Sequence, residues 1–102
     1  MAKLITVYWR DIPAQVIVKQ GRRTAKVQLP ERFQEAIDRA AMRAGKGGTD
    51  AYLEEWRRET EEVSGDIDAA ARARAEVLQA SIDDDMLAAM IRGKGRRPAA
   101  DD

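Results

Sequence analysis

Two interruptions near the start of the chain cut it into three short runs of strand-forming residues, and that spacing leaves few folds open. The runs occupy the segment that ends in YWRDIPAQVIVKQGRRTAKVQL. Residues 3–10 alternate, with Ile5, Val7 and Trp9 expected to one side and Leu4, Thr6, Tyr8 and Arg10 to the other. Asp11-Ile12-Pro13 breaks the run, because proline fixes its own φ and biases the residue before it away from helix. Residues 14–19 form a second strand, with Val16 and Val18 joining Trp9 inside and Gln15, Ile17 and Lys19 left outside. Gln20-Gly21-Arg22-Arg23 is a turn. Residues 24–29 alternate most cleanly, Ala25, Val27 and Leu29 inward against Thr24, Lys26 and Gln28 outward. Links this short favour an antiparallel meander.

The rest of the chain carries helical periodicity. Pro30 suits a helix start, and Phe33, Ile37, Ala40, Ala41 and Ala44 fall on one stripe before Gly45. A second helix is expected from Thr49 or Asp50 to Val63, with Tyr52, Leu53, Trp56, Thr60 and Val63 on its apolar side. Ser64-Gly65-Asp66 is a break and a new cap. After it Ile67, Ala71, Ala75, Leu78 and Ile82 recur at helical spacing. Asp83, Asp84 and Asp85 open a last short helix that presents Met86, Leu87, Met90 and Ile91 and ends at Gly93. The expected fold is therefore α+β: a three-stranded antiparallel meander followed by three to four helices packed on one sheet face. Residues 1–92 form a single domain in this reading, and residues 93–102 a flexible C-terminal tail.

Composition narrows the chemistry. The 102 residues include neither cysteine nor histidine. Zinc sites, Cys–His nucleophiles and Ser–His–Asp triads are thereby excluded, and with them the commonest general base. No metal site, cofactor or enzymatic role is expected. No apolar run approaches the ~20 residues that cross a bilayer. The N-terminal MAKLITVYWRD lacks the apolar core of a secretory signal, so a cytoplasmic location without membrane contact is the expectation. Lysines and arginines balance aspartates and glutamates at net charge +0, yet the signs are segregated. Residues 1–30 carry Lys3, Arg10, Lys19, Arg22, Arg23 and Lys26 against Asp11, while Glu54, Glu55, Glu59, Glu61 and Glu62 crowd the middle of the chain. A split of this kind steers partners at low salt.

Two surfaces follow. The outer sheet face would show Tyr8 and Ile17 among Arg10, Lys19, Thr24 and Lys26, with Arg22 and Arg23 on the adjoining turn. An aromatic beside cations on an open sheet is also how single-stranded RNA is bound, but a lone tyrosine falls short of the usual pair of aromatics. Met86, Leu87, Met90 and Ile91 either dock a partner or fold back on the domain. Gly45-Lys46-Gly47-Gly48-Thr49 follows a helix and has its lysine after the wrong glycine for a phosphate loop, so it reads as a helix–helix link.

Trp9-Arg10-Asp11-Ile12-Pro13 and Arg32-Phe33 with Ala36-Ile37-Asp38 are the most specific elements of a resemblance that runs from about Lys3 to Val63 and extends to about Ile91. The chain resembles a small bacterial family described as "virulence factor". The resemblance implies stand-alone chains as well as modules fused to larger proteins. It also implies an accessory role beside folate- or corrinoid-dependent methyl-transfer proteins, and it implies no catalytic residue set. The expected function is thus a non-catalytic accessory or regulatory module that binds another protein or its own copies. Weak nucleic-acid binding by the basic sheet face is the alternative.

Overall fold

The computed structural model describes residues 1–98. Three strands, β1 (Ala2–Trp9), β2 (Ile12–Gln20) and β3 (Arg23–Gln28), form the expected antiparallel meander. The helices α1 (Glu31–Arg43) and α2 (Thr49–Glu54) follow, then a further strand β4 (Trp56–Val63), then α3 (Ile67–Ser81) and α4 (Asp84–Arg92). The fold class is α+β, but the sheet has four strands in the order β3-β2-β1-β4.

The fourth strand corrects the expected helix to Val63. Only its first turns form, as α2, and the chain then pairs along the whole of β1, from Trp9 opposite Trp56 to Ala2 opposite Val63. WRRETEEV is rich in helix formers, so local propensity favoured the helix. What prevails is the unpaired edge of β1, whose backbone groups find partners only in a neighbouring strand. As an edge strand, β4 is charged and mostly exposed, which discourages further edge pairing.

A second correction concerns which way β1 faces. Leu4 lies opposite Val18 and Thr6 opposite Val16, on the side that meets the helices. Ile5 lies opposite Ile17 and Val7 opposite Gln15, on the other side. Strict alternation would place Trp9 with Ile5 and Val7. Instead the ladder slips between Val7 and Tyr8, leaving Ala14 without an opposite residue beside Pro13, and Trp9 enters the main core with Ile12. A bulge re-phases a strand in this way, and proline is tolerated there because its missing N–H leaves no ladder bond unmade.

The main core gathers Leu4, Trp9, Val16 and Val18 from the sheet with Phe33, Ile37, Ala71, Ala75, Ile82 and Met90 from the helices. Each fully buried large side chain contributes roughly 1.5–3 kcal/mol. Asp66 caps α3 by accepting from Asp68 N at 2.9 Å, and Asp83 caps α4 by accepting from Met86 N at 2.8 Å. Arg32 lies over the Phe33 ring at 4.4 Å and donates to Ile82 O at 3.0 Å and Gln79 O at 3.3 Å. It thereby satisfies carbonyls at the end of α3 and ties α1 to that helix.

Lys94 and Gly95 complete the end of α4. Lys94, at φ 61°, donates to Ile91 O, and Gly95 N donates to Met90 O at 2.7 Å. The chain then lies across the Trp9 side of the sheet. The tail expected from residue 93 therefore starts with residues that make these contacts, while residues 99–102 lie outside the described part.

Candidate interaction surface

Opposed residues of an antiparallel ladder share a face, so the pairings define the outer side of the sheet. From β3 to β4 one row reads Thr24, Lys19, Lys3, Glu62 and the next Lys26, Ile17, Ile5, Thr60. The third row reads Gln28, Gln15, Val7, Arg58. Among the described residues no helical one joins the cluster of Ile5, Val7 and Ile17; Trp56, at the start of β4, packs against it. Those three aliphatics are nonetheless only 9, 7 and 8 % exposed. No described helix lies above them. Lys3, Lys19, Lys26 and Arg58 stand in the same and adjoining rows, and long cationic stems can lie along apolar neighbours while their heads stay in water. Lys3, Lys19, Lys26 and Arg58 make no ion pair among the described residues, whereas Arg10, Arg32, Arg57 and Arg74 each do. Arg22 extends the basic surface as an exposed residue of the β2–β3 turn; Arg23, exposed at the start of β3, lies opposite Gln20 in the set that alternates with this face.

Lys19, Lys26 and Arg22 are therefore where the sequence places them, with Ile17 among them, and Arg23 is exposed beside the turn but in the alternate set. Tyr8 and Arg10 are not on this face. Tyr8 lies opposite Arg57, whose guanidinium is 4.4 Å from the ring centroid, toward the α3 side where Arg74 pairs with Glu61. Burial, and then the Glu59 charge, raise the Tyr8 hydroxyl above its ordinary pKa, against the pull of Arg57, Arg74 and Arg97. Lys3, Ile5, Val7 and Arg58 belong to the face without having been expected there. One signal in the sequence does point to it: both alternate sets of β1 are apolar, as in a strand flanked on each side.

Arg10 is instead the centre of a pinned corner. It turns the chain at φ 54°, and its backbone N–H donates to Glu55 O at 3.1 Å. Its side chain pairs with Glu55 at 3.1 Å and donates to Lys94 O at 2.8 Å. Asp11 N donates to Gly95 O at 2.9 Å, and Asp11 accepts from Arg97 N at 2.7 Å. Arg57 donates to Arg10 O at 2.7 Å and pairs with Asp11 and Glu59. Burial opposes the Arg57 charge, but Glu59 and Asp11 outweigh it and raise its pKa. The Arg10 hydrogen bond, with Lys46 and Arg96 nearby, holds the Glu55 carboxyl below its ordinary value. These groups satisfy one another, so the corner is structural.

The apolar stripe of α4 is not a free patch. Leu87 and Met90 are buried, and Met86 and Ile91 pack against the core beside α1. Four apolar side chains on so short a helix find cover on α1, which is the fold-back that the sequence left open. Exposed apolar groups do occur at Met42 and Leu53, which flank an open depression with Asp38, Ala41, Gly47 and Tyr52. Among the described residues no cluster of aspartates and glutamates is placed to hold a metal ion. No described helix is long and apolar enough to cross a membrane.

The chain matches the family described as Virulence factor over residues 7–91. It belongs to that family. The match spans both of the motifs that carry the resemblance, and in this member each has a structural role. Trp9-Arg10-Asp11-Ile12-Pro13 builds the bulge and the pinned corner, and Arg32-Phe33 closes the end of α3. No curated protein and no solved structure matches the chain. Family membership assigns no chemistry to a residue, so the surface itself has to carry the functional argument.

Proposed function

We propose that this virulence-factor-family chain is a non-catalytic accessory or regulatory module of the cytoplasm that works by binding another protein through the outer sheet face and the adjoining β2–β3 turn. The observation that carries this reading is a helix-free sheet face on which Lys3, Lys19, Lys26 and Arg58 have no ion-pair partner among the described residues. Arg10 and Arg57 at the corner and Arg32 at the end of α3 are by contrast paired and structural. Arg39, Arg43, Arg72 and Arg92 on the helices also lack an ion pair among the described residues, but they share no face with an apolar cluster of the sheet. The resemblance in sequence points to folate- or corrinoid-dependent methyl-transfer proteins as the class of partner.

Affinity capture from native extract tests the reading, with the wild type beside Arg22→Glu/Arg23→Glu. Both arginine side chains are exposed, so folding is expected to survive. Loss of a specific companion supports the turn as a contact. Equal recovery of every companion removes the turn from the surface.

Nucleic acid is the second reading, and the clustered cations favour it. Among the described residues the face offers few stacking partners, since Tyr8 lies under Arg57 and Trp56 stands at its border. Titration with single-stranded RNA would show binding that falls steeply with salt. Absence of binding at low salt ends this alternative.

A further inference from the structure

Resting on the interaction reading above, the geometry of the outer face also specifies the chemistry of the partner. We propose that the face receives an acidic amphipathic helix of a partner protein, its apolar stripe on Ile5, Val7 and Ile17 and its carboxylates on Lys3, Lys19, Lys26 and Arg58.

Size, charge and cover each point that way. Strands about 4.8 Å apart make the face about 14 Å wide across β3-β2-β1-β4, enough to seat a helix of about 10 Å diameter. The helix layer already present lies on the opposite side, where Leu4, Val16 and Val18 meet Phe33, Ala71 and Ala75. A second helix on the outer face would give the central strands the two-sided cover that their apolar pattern matches. The rows hold Lys3, Lys19, Lys26 and Arg58 against Glu62, which lies opposite Lys3. That sign selects an acidic occupant. It also opposes a second copy of the chain packed face to face, because cation would meet cation. The aliphatic centre selects an amphipathic occupant over a merely acidic one. Lys3, Lys19 and Lys26 flank Ile5 and Ile17 in the rows, and their flexible stems can give way to a partner's leucines as the ammonium heads reach its carboxylates. Nucleic acid offers the charge without the apolar stripe.

The test uses the full chain, isotope-labelled, and three probes. The first is a synthetic helix of about five turns with leucine at i, i+3, i+4 and i+7 and glutamate elsewhere. The second is a peptide of the same composition with the stripe scrambled. The third is oligouridylate of similar charge. The proposal expects saturable binding of the first, with amide shifts confined to β1, β2, β3 and the Arg58 region. The scrambled peptide binds at least about tenfold more weakly, and Lys19→Glu/Lys26→Glu weakens the first probe by a similar factor. Unchanged circular dichroism and melting temperature establish that the variant is folded. Val7→Thr, which shortens nothing but replaces a methyl by a hydroxyl, gives a milder loss without the charge change. Four results overturn the proposal: equal binding of the scrambled peptide, shifts centred on Met42 and Leu53, tighter binding of oligouridylate, or self-association of the chain abolished by the lysine reversals. If a companion is captured by the wild type and lost in Arg22→Glu/Arg23→Glu while neither peptide is preferred, the interaction reading stands and the acidic helix alone is withdrawn.

Discussion

At Gly95 the backbone approaches Trp9 so closely that a Cβ there would lie 2.7 Å from the ring carbon Cζ3, and the residue sits at φ +93°. A side chain is excluded twice over, by contact and by backbone conformation. Gly95→Ala is expected to cost about 1–3 kcal/mol in chemical denaturation. Gly47→Ala, with open space around it, should stay within about 0.5 kcal/mol of wild type. Equal effects of the two would refute the close approach. Glu55 gives a prediction in pH. Its carboxyl is held below its ordinary value of 4.5, chiefly by the Arg10 hydrogen bond. The stabilisation it adds is therefore present above that value and is lost as pH falls through the lower folded-state value. The stability difference between wild type and Glu55→Gln should be steady near neutrality and shrink in acid below about pH 4.5. Urea titrations across that range measure it, and a difference that persists undiminished in strong acid would contradict the pairing. Neither residue's role was legible in the sequence. Gly95 lies in a segment without periodicity, and of the partners of Glu55, Arg10 and Arg96 stand far from it along the chain, with only Lys46 nearby.

Among the elements, β4 shows how far local preference can be overruled. Glutamate, arginine and leucine favour helix, and residues 49–63 supply them in quantity. The structure allows helix only over Thr49–Glu54 and then extends the chain beside β1. A synthetic peptide of residues 49–63 should show no strand by circular dichroism in water and should gain helix in trifluoroethanol, since so short a helix is marginal on its own. Strand formation by the free peptide would mean that the preference is local after all. The other elements were readable because local and tertiary signals agree in them. Pro30, Gly45, Asp66 and Asp83 mark helix limits that the structure keeps, with Pro30 as the cap of α1 and Gly45 following its end at φ +73°. The faces of β1 were not readable. The bulge at Val7/Tyr8 reverses the phase for Trp9, and nothing in the order of residues announces which of two apolar sets faces the helices.

For the molecule as a whole, the segment 94–97 closes a ring of contacts from the end of α4 back to the first turn of the sheet. Gly95 O, Lys94 O and Arg97 N serve Asp11 and Arg10, residues that are distant in sequence. Removing residues 93–102 should lower stability by about 2–4 kcal/mol, as several hydrogen bonds are lost and the cover of Trp9 is stripped away. Thermal melts report the loss, and a red shift of tryptophan emission reports the newly wetted ring. A truncated chain as stable as the full one, with unchanged emission, would show that the contact contributes nothing. The surface proposed for binding also belongs to this scale. Lys3 and Arg58 reach the same face as Lys19 and Lys26 only because β4 crosses back to pair with β1.

By itself the order of residues determined the three-strand meander, the positions of most helices, the basic turn at Arg22 and Arg23, and the exclusion of chemistry that needs histidine or cysteine. Each of these follows from interactions between near neighbours or from composition alone. Tertiary structure decided the fourth strand, the phase of β1, the burial of Met90 and Leu87, and the withdrawal of Tyr8 and Arg10 from the outer face. Those outcomes depend on where an unpaired strand edge, an uncovered helix stripe or a lone guanidinium finds its partner. Such partners stand far apart in the chain and meet only when the core has formed.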